Sequence, residues 1–89
     1  MPKHLNIHIS GQVQGVFFRE YARKKAQELG ISGFVENLSD GRVYIEAEGE
    51  EENLKEFLNW CRKGPDSAEV ERVEAKDGEI RNFKGFEIK

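Results

Sequence analysis

This chain has little of several things. It holds one cysteine, two prolines and two histidines among 89 residues, and no long apolar run. The single Cys61 excludes a disulfide within the chain and a zinc site built of thiolates alone. The longest apolar stretch, Val16-Phe17-Phe18, is far too short to span a membrane. The first residues, Met1-Pro2-Lys3-His4-Leu5, lack the apolar segment of a secretory signal. Basic charge is not in excess either: 14 Lys and Arg face 17 Asp and Glu, for a net charge of -3. That balance argues against general nucleic-acid binding, which calls for a basic stripe. His4 and His8 would stand about 13 Å apart along one strand, too far to share a metal ion. They are expected to be exposed or half-exposed. No other His, Asp and Glu cluster has ligand spacing, so no metal and no cofactor is expected.

What the chain does have suits a small core. Hydrophobic residues make up 37% of it, and a domain of this size buries about 60–65% of its unfolded surface. One domain spanning residues 1–89 is expected, in a soluble, cytoplasmic, monomeric protein with no membrane partner. The charge is unevenly placed. Residues 1–45 carry six basic and four acidic side chains, and residues 46–89 carry eight and thirteen. An anion would therefore be sought in the first half.

Leu5, Ile7 and Ile9 alternate with polar residues and predict a strand at about 4–10. Phe18, Ala22, Ala26 and Leu29 recur at helical spacing and predict a helix over 17–29, ended by Gly30. Strand character returns at 31–37, and Ser39-Asp40-Gly41 reads as a hairpin turn. Val43, Ile45 and Ala47 alternate in the next strand, which Gly49 ends. Glu50, Glu51 and Glu52 suit the positive start of a second helix. Its buried stripe is Leu54, Phe57, Leu58 and Cys61, with Trp60 at the edge, and Gly64-Pro65 stops it. The strand over 68–76 spaces Val70 and Val73 irregularly, as a bulge would. Lys76-Asp77-Gly78-Glu79 reads as a turn, and Phe86 and Ile88 form a short last strand. The order βαββαβ, with that extra strand, predicts an α+β, ferredoxin-like (split βαβ) sandwich. An antiparallel sheet would carry both helices on one face and leave the other face partly solvated.

The most informative segment is Gly11-Gln12-Val13-Gln14-Gly15-Val16-Phe17-Phe18-Arg19. Two glycines bracket a tight strand-to-helix connection. Successive N–H groups in such a curl can converge on one anion, and the helix start adds more donors. Arg19 can give two parallel hydrogen bonds to a phosphate. Nothing matches the nucleotide-binding P-loop pattern. Such a loop also serves as a plain connection, and an Arg there as a solvated side chain; the residues alone leave both readings open.

Gly11-x-Val13-Gln14-Gly15-Val16-x-Phe18-Arg19 resembles the signature of the acylphosphatases. Gly33-x-Val35-x-Asn37-x-x-Asp40-Gly41-x-Val43, the Gly64-Pro65 segment and Gly85-Phe86-x-Ile88 extend the likeness across nearly the whole chain. The resemblance implies a ferredoxin-like fold and hydrolysis of an acyl phosphate to carboxylate and inorganic phosphate. It implies that Arg19 binds the phosphate. It gives the loop amides of Gly15, Val16, Phe17 and Phe18 the phosphoryl oxygens, and gives Asn37 the attacking water. Phe17 is bulkier than the residue many members carry, which bears on the pocket mouth.

The chemistry is self-consistent. Phosphoryl transfer needs positioning and charge stabilisation, which N–H donors and one Arg supply. No His, Cys or Lys is placed as nucleophile, acid or base. An acyl phosphate tolerates that, because its leaving carboxylate, with an acid pKa of about 4, needs no proton. Two other classes compete. One is an anion-binding regulatory module without turnover. The other is an RNA-binding domain of the same topology, which needs exposed aromatics on a basic sheet. Tyr44 and Phe34 lie instead beside Glu36, Glu46 and Glu48, so nucleic acid is not expected as a partner.

Overall fold

The computed structural model describes residues 1–89. The alternating Leu5, Ile7 and Ile9 lie in β1 (Pro2–Gln12), which extends beyond the expected strand at both ends. It is followed by α1 (Phe18–Glu28), β2 (Ser32–Asn37), β3 (Val43–Glu50), α2 (Glu51–Lys63), β4 (Glu69–Gly78) and β5 (Phe86–Ile88). The sheet order is β4-β1-β3-β2-β5, the ferredoxin-like arrangement with one added edge strand. The first four strands pair antiparallel, but β5 runs parallel to β2, which departs from the expected all-antiparallel sheet. The irregular valine spacing is a bulge: Ser10 pairs with Arg72 and Gly11 with Val70, leaving Glu71 as the extra residue.

Both helices pack on the face that carries Ile7, Ile9, Val35, Val43, Ile45 and Ala47. Phe18, Ala22 and Ala26 are the buried stripe of α1, and Leu54, Phe57 and Cys61 that of α2. Trp60 closes the edge between the helices, with its ring 5.3 Å from that of Phe18 and 6.2 Å from that of Phe57. Each buried Ile, Val, Leu and Phe among them contributes about 1.5–3 kcal/mol, and each alanine less. β2 and β3 approach closely at Gly33, where a Cβ would overlap the Glu46 carbonyl.

The second face differs most from expectation. The proposed turn at residues 76–79 does not form there, because β4 continues to Gly78. The chain then crosses the sheet through residues 79–85 to reach β5 at the far edge. This crossing covers the open face, so His4, expected exposed or half-exposed, is only 2% exposed. Its Nδ1 lies 2.7 Å from Glu48 Oε2, and its Nε2 lies 2.9 Å from Asn6 Oδ1 and 3.1 Å from Glu46 Oε1. The backbone N–H groups of Arg81 and Phe83 both donate to the Glu48 carboxylate. Tyr44 Oη donates to Glu46 at 2.6 Å. The Phe83 ring packs edge-on against Phe34 and tilts over His4. Phe34 is therefore buried and Tyr44 half-buried, and the sheet offers no open aromatic platform of the kind RNA binding requires.

Burial pushes the Glu48 pKa up, but the Arg81 amide, His4 and the Phe83 amide outweigh it and hold the pKa below its ordinary 4.5. A depressed carboxylate pKa stabilises the fold above the ordinary value, and that contribution is lost as pH falls through the folded value. We expect Glu48→Gln to cost about 1–3 kcal/mol at neutral pH, read from urea midpoints. The gap between the variant and the parent should narrow as pH drops below 4.5. A gap that stays constant through the acid range contradicts this account.

Candidate active site

β1 gives way to a curl at Gln14–Phe17 that leads into α1. Gly15 (φ 74°) and Phe17 (φ 63°) are left-handed, and Val16 between them is not. That alternation turns consecutive N–H groups toward one side. The N–H groups of Gly15, Val16, Phe17, Phe18 and Arg19 donate to no protein acceptor. The first helical bond comes only at Tyr21, whose N–H reaches the Phe17 carbonyl at 3.1 Å. Ser67 Oγ donates to the Val16 carbonyl at 2.9 Å. In a trans peptide the carbonyl and the next N–H point oppositely, so this bond aims the Phe17 N–H away from Ser67.

The expected helix start moves by one residue, because left-handed Phe17 is the residue before α1. A phenylalanine there carries backbone strain of about 1–2 kcal/mol, and its ring is 65% exposed. It lines a depression of about 290 Å³ with Glu20, Tyr21 and Lys24. A larger depression, about 560 Å³, lies where β3 meets α2; it is lined by Glu50, Glu51 and Glu52 together with the Met1 ammonium and Lys55, and Glu50 and Glu51 are ion-paired with Met1 and Lys3.

Arg19 is half-buried in the first turn of α1. Its Nη1 donates to the Lys89 carbonyl at 3.4 Å. The Lys89 N–H in turn donates to the Val35 carbonyl at 2.8 Å, two residues before Asn37. Arg19 and Asn37 are thus drawn toward one corner through the end of β5. Asn37, the last residue of β2, pairs with Val43 and so faces the helix side of the sheet. Its Oδ1 is buried without a hydrogen-bond partner. A buried amide oxygen without a partner is uncommon and suits an acceptor meant for a water or a ligand.

The turn after Asn37 is held by Leu38 N–H to the Arg42 carbonyl at 2.8 Å. Asp40 braces it, accepting the Arg42 amide at 3.1 Å and Nε at 2.8 Å; the amide bond leads in holding the Asp40 pKa below the usual range. Gln14 Nε2 reaches across from the loop to the carbonyls of Leu38 and Arg42, at 2.7 and 2.9 Å. Cys61 is fully buried in α2, and that burial pushes its thiol pKa up, so it offers no thiolate nucleophile. No group of three or more His, Cys, Asp or Glu is placed to hold a metal ion. The loop amides and Arg19 can bind a compact anion, and the Asn37 carboxamide can orient a neutral molecule; none of these groups is placed to shuttle a proton.

Sequence reasoning named the loop, Arg19 and Asn37, and left three contributors out. Gln14 stood within the loop motif, but nothing in the sequence indicated its two acceptors. Ser67 had only its place after Gly64-Pro65, and Lys89 acts through its backbone, which leaves no mark on a sequence.

A family model described as Acylphosphatase matches residues 5–88. The chain is 54% identical to an acylphosphatase of Archaeoglobus fulgidus, over 94% of each chain. It is 51% identical to one of Thermus thermophilus, over 90% of this chain and 91% of the other. Among solved structures, an acylphosphatase from Coxiella burnetii superposes with a TM-score of 0.96 at 38% identity, covering 99% of this chain and 93% of that one.

At Gly15 no atom lies within 4 Å of where a Cβ would stand, so Gly15→Ala isolates the left-handed strain of the curl. We expect a loss of about 1–2 kcal/mol in a chemical melt, with the fold retained. A neutral substitution would show that the curl relaxes.

Proposed function

This chain belongs to the acylphosphatase family, and on that footing we propose that Arg19, the loop amides and Asn37 carry its reaction. The chain is an enzyme of acyl phosphate hydrolysis, which turns a carboxyl–phosphate anhydride into a carboxylate and inorganic phosphate. The observation that carries the residue assignment is the curl set by left-handed Gly15 and Phe17, which lies inside a run of undonated N–H groups from Val13 to Glu20. It lies beside an Arg held from behind by a main-chain carbonyl.

In this reading the phosphoryl oxygens sit among the amides of Gly15, Val16, Phe17 and Phe18, with the Arg19 guanidinium giving a charged bond. Charge on those oxygens during transfer is met by donors already in place, the arrangement that costs least reorganisation. The Asn37 carboxamide, whose Oδ1 has no protein partner, turns toward the attacking water on substrate binding and orients an oxygen lone pair toward phosphorus. The new P–O bond forms as the bond to the carboxylate oxygen breaks. The carboxylate leaves with the electron pair and unprotonated. The water's proton passes to a phosphoryl oxygen or to solvent. No side chain titrates in the cycle, which suits an activated leaving group and disfavours alkyl phosphate esters. We read the acyl group as lying over the Phe17 side of the mouth, where the 290 Å³ depression opens. One chain supplies every group named, so the working unit proposed is a monomer. We place it in the cytoplasm, a compartment that its single, fully buried, unpaired cysteine fits.

Hydrolysis of benzoyl phosphate in the presence of a chelator tests the assignment. Arg19→Ala should lose about 10²–10³-fold in turnover together with inhibition by inorganic phosphate. Asn37→Ala should keep phosphate inhibition and lose about 10²-fold in kcat. Intact phosphate inhibition in the first variant, or full turnover in the second, removes that residue from the proposed roles.

A further inference from the structure

We propose that Gln14 is a positioning residue for the hydrolysis, locking the Leu38–Arg42 turn to the phosphate loop and thereby setting where Asn37 holds water. The proposal rests on the reading of Asn37 given above. A carboxamide nitrogen carries two hydrogens, and both are used here: Nε2 meets the Leu38 carbonyl at 2.7 Å and the Arg42 carbonyl at 2.9 Å. Those carbonyls flank the turn, so one side chain holds both of its ends. Gln14 directly precedes Gly15, the first of the proposed cradle amides, and Leu38 directly follows Asn37. The bridge is therefore one residue from the phosphate cradle on one side and one residue from the water-holding amide on the other.

Nothing else makes this connection. The β1–β3 ladder ends at the Ile9–Val43 pair. Beyond it, the two bonds from Gln14 are the only hydrogen bonds between residues 13–17 and the 38–42 turn. Without them the β2–β3 turn is held by its own bonds, Leu38–Arg42, Gly41–Leu38 and the Asp40–Arg42 pair, and by the Asn37–Val43 strand pair at its base. Asn37 would then keep its strand pairing while its distance to the cradle became free to drift. In-line attack is sensitive to such drift: a misplacement near 1 Å costs on the order of 10²-fold in rate. Gln14 is uncharged and is not among the cradle donors, so phosphate binding should not depend on it directly.

The test is a double-mutant cycle with Gln14→Met, which keeps the side chain's length and removes its donors, measured on benzoyl phosphate. Gln14→Ala is run in parallel in case Met distorts the loop. Thermal melts and the inhibition constant for inorganic phosphate report folding and an intact cradle. We expect kcat to fall by about 10- to 100-fold, while KM and the phosphate inhibition constant move by less than about twofold. In the Asn37→Ala background the same change should lower kcat little further, because Gln14 acts through Asn37. A kcat near the parent value, or full additivity of the two substitutions, overturns the role of Gln14 and leaves that of Asn37 standing. Full turnover in Asn37→Ala alone overturns both. A matched loss of phosphate inhibition would show that Gln14 shapes the cradle instead.

Discussion

A buried carboxylate organises the face of the sheet that the helices do not cover. Glu48 sits in β3 among groups that donate to it from two directions: the His4 ring on β1, and the amides of Arg81 and Phe83 on the crossing segment. An ionised carboxylate in that position would be costly without such donors. With them it becomes the fixed point over which residues 79–85 pass from one edge of the sheet to the other. That path sets the register of β5 against β2, from Gly33–Phe86 to Val35–Ile88. It also delivers the Lys89 carbonyl to Arg19.

The catalytic reading asks little of side chains. Backbone amides are the main donors, the positive end of α1 adds to their field, and one guanidinium supplies formal charge. A net charge of -3 is no obstacle to binding an anion, because the acidic excess lies in residues 46–89 and the loop lies before it. In that reading the lack of acid–base groups goes with an anhydride substrate, whose leaving carboxylate needs no proton.

Much of this could be read from the sequence where the signal was periodic or steric. Alternation placed β1 and β3, the helical stripes placed α1 and α2, and irregular valines placed the bulge in β4. The glycines framed the loop, whose left-handed curl the structure shows, while Arg19 and Asn37 entered only through the family motif and remain proposals. The face carrying His4, Glu46 and Glu48 was misread for a physical reason. Polar residues that alternate with a buried stripe look solvated, and only a cover arriving from 33 or more positions later in the chain makes them interior. Lys76-Asp77-Gly78-Glu79 has turn chemistry, yet pairing with β1 carried the strand through to Gly78. The bridge from Gln14 spans 24 and 28 residues, and Lys89 reaches Arg19 across 70; neither leaves a local trace.

A cradle made of N–H groups has an unusual relation to mutation. Every residue except proline carries that donor, so under the proposed reading exposed Phe17 and half-buried Val16 can change side chain without losing a binding group, whereas Phe18 is fixed by its place in the core. What selection can act on there is the path of the backbone and whatever the side chains present to the solvent side. An exposed phenylalanine at position 17 is a variation of that kind: the ring is free to change the neighbourhood of the substrate while the donor beneath it stays the same.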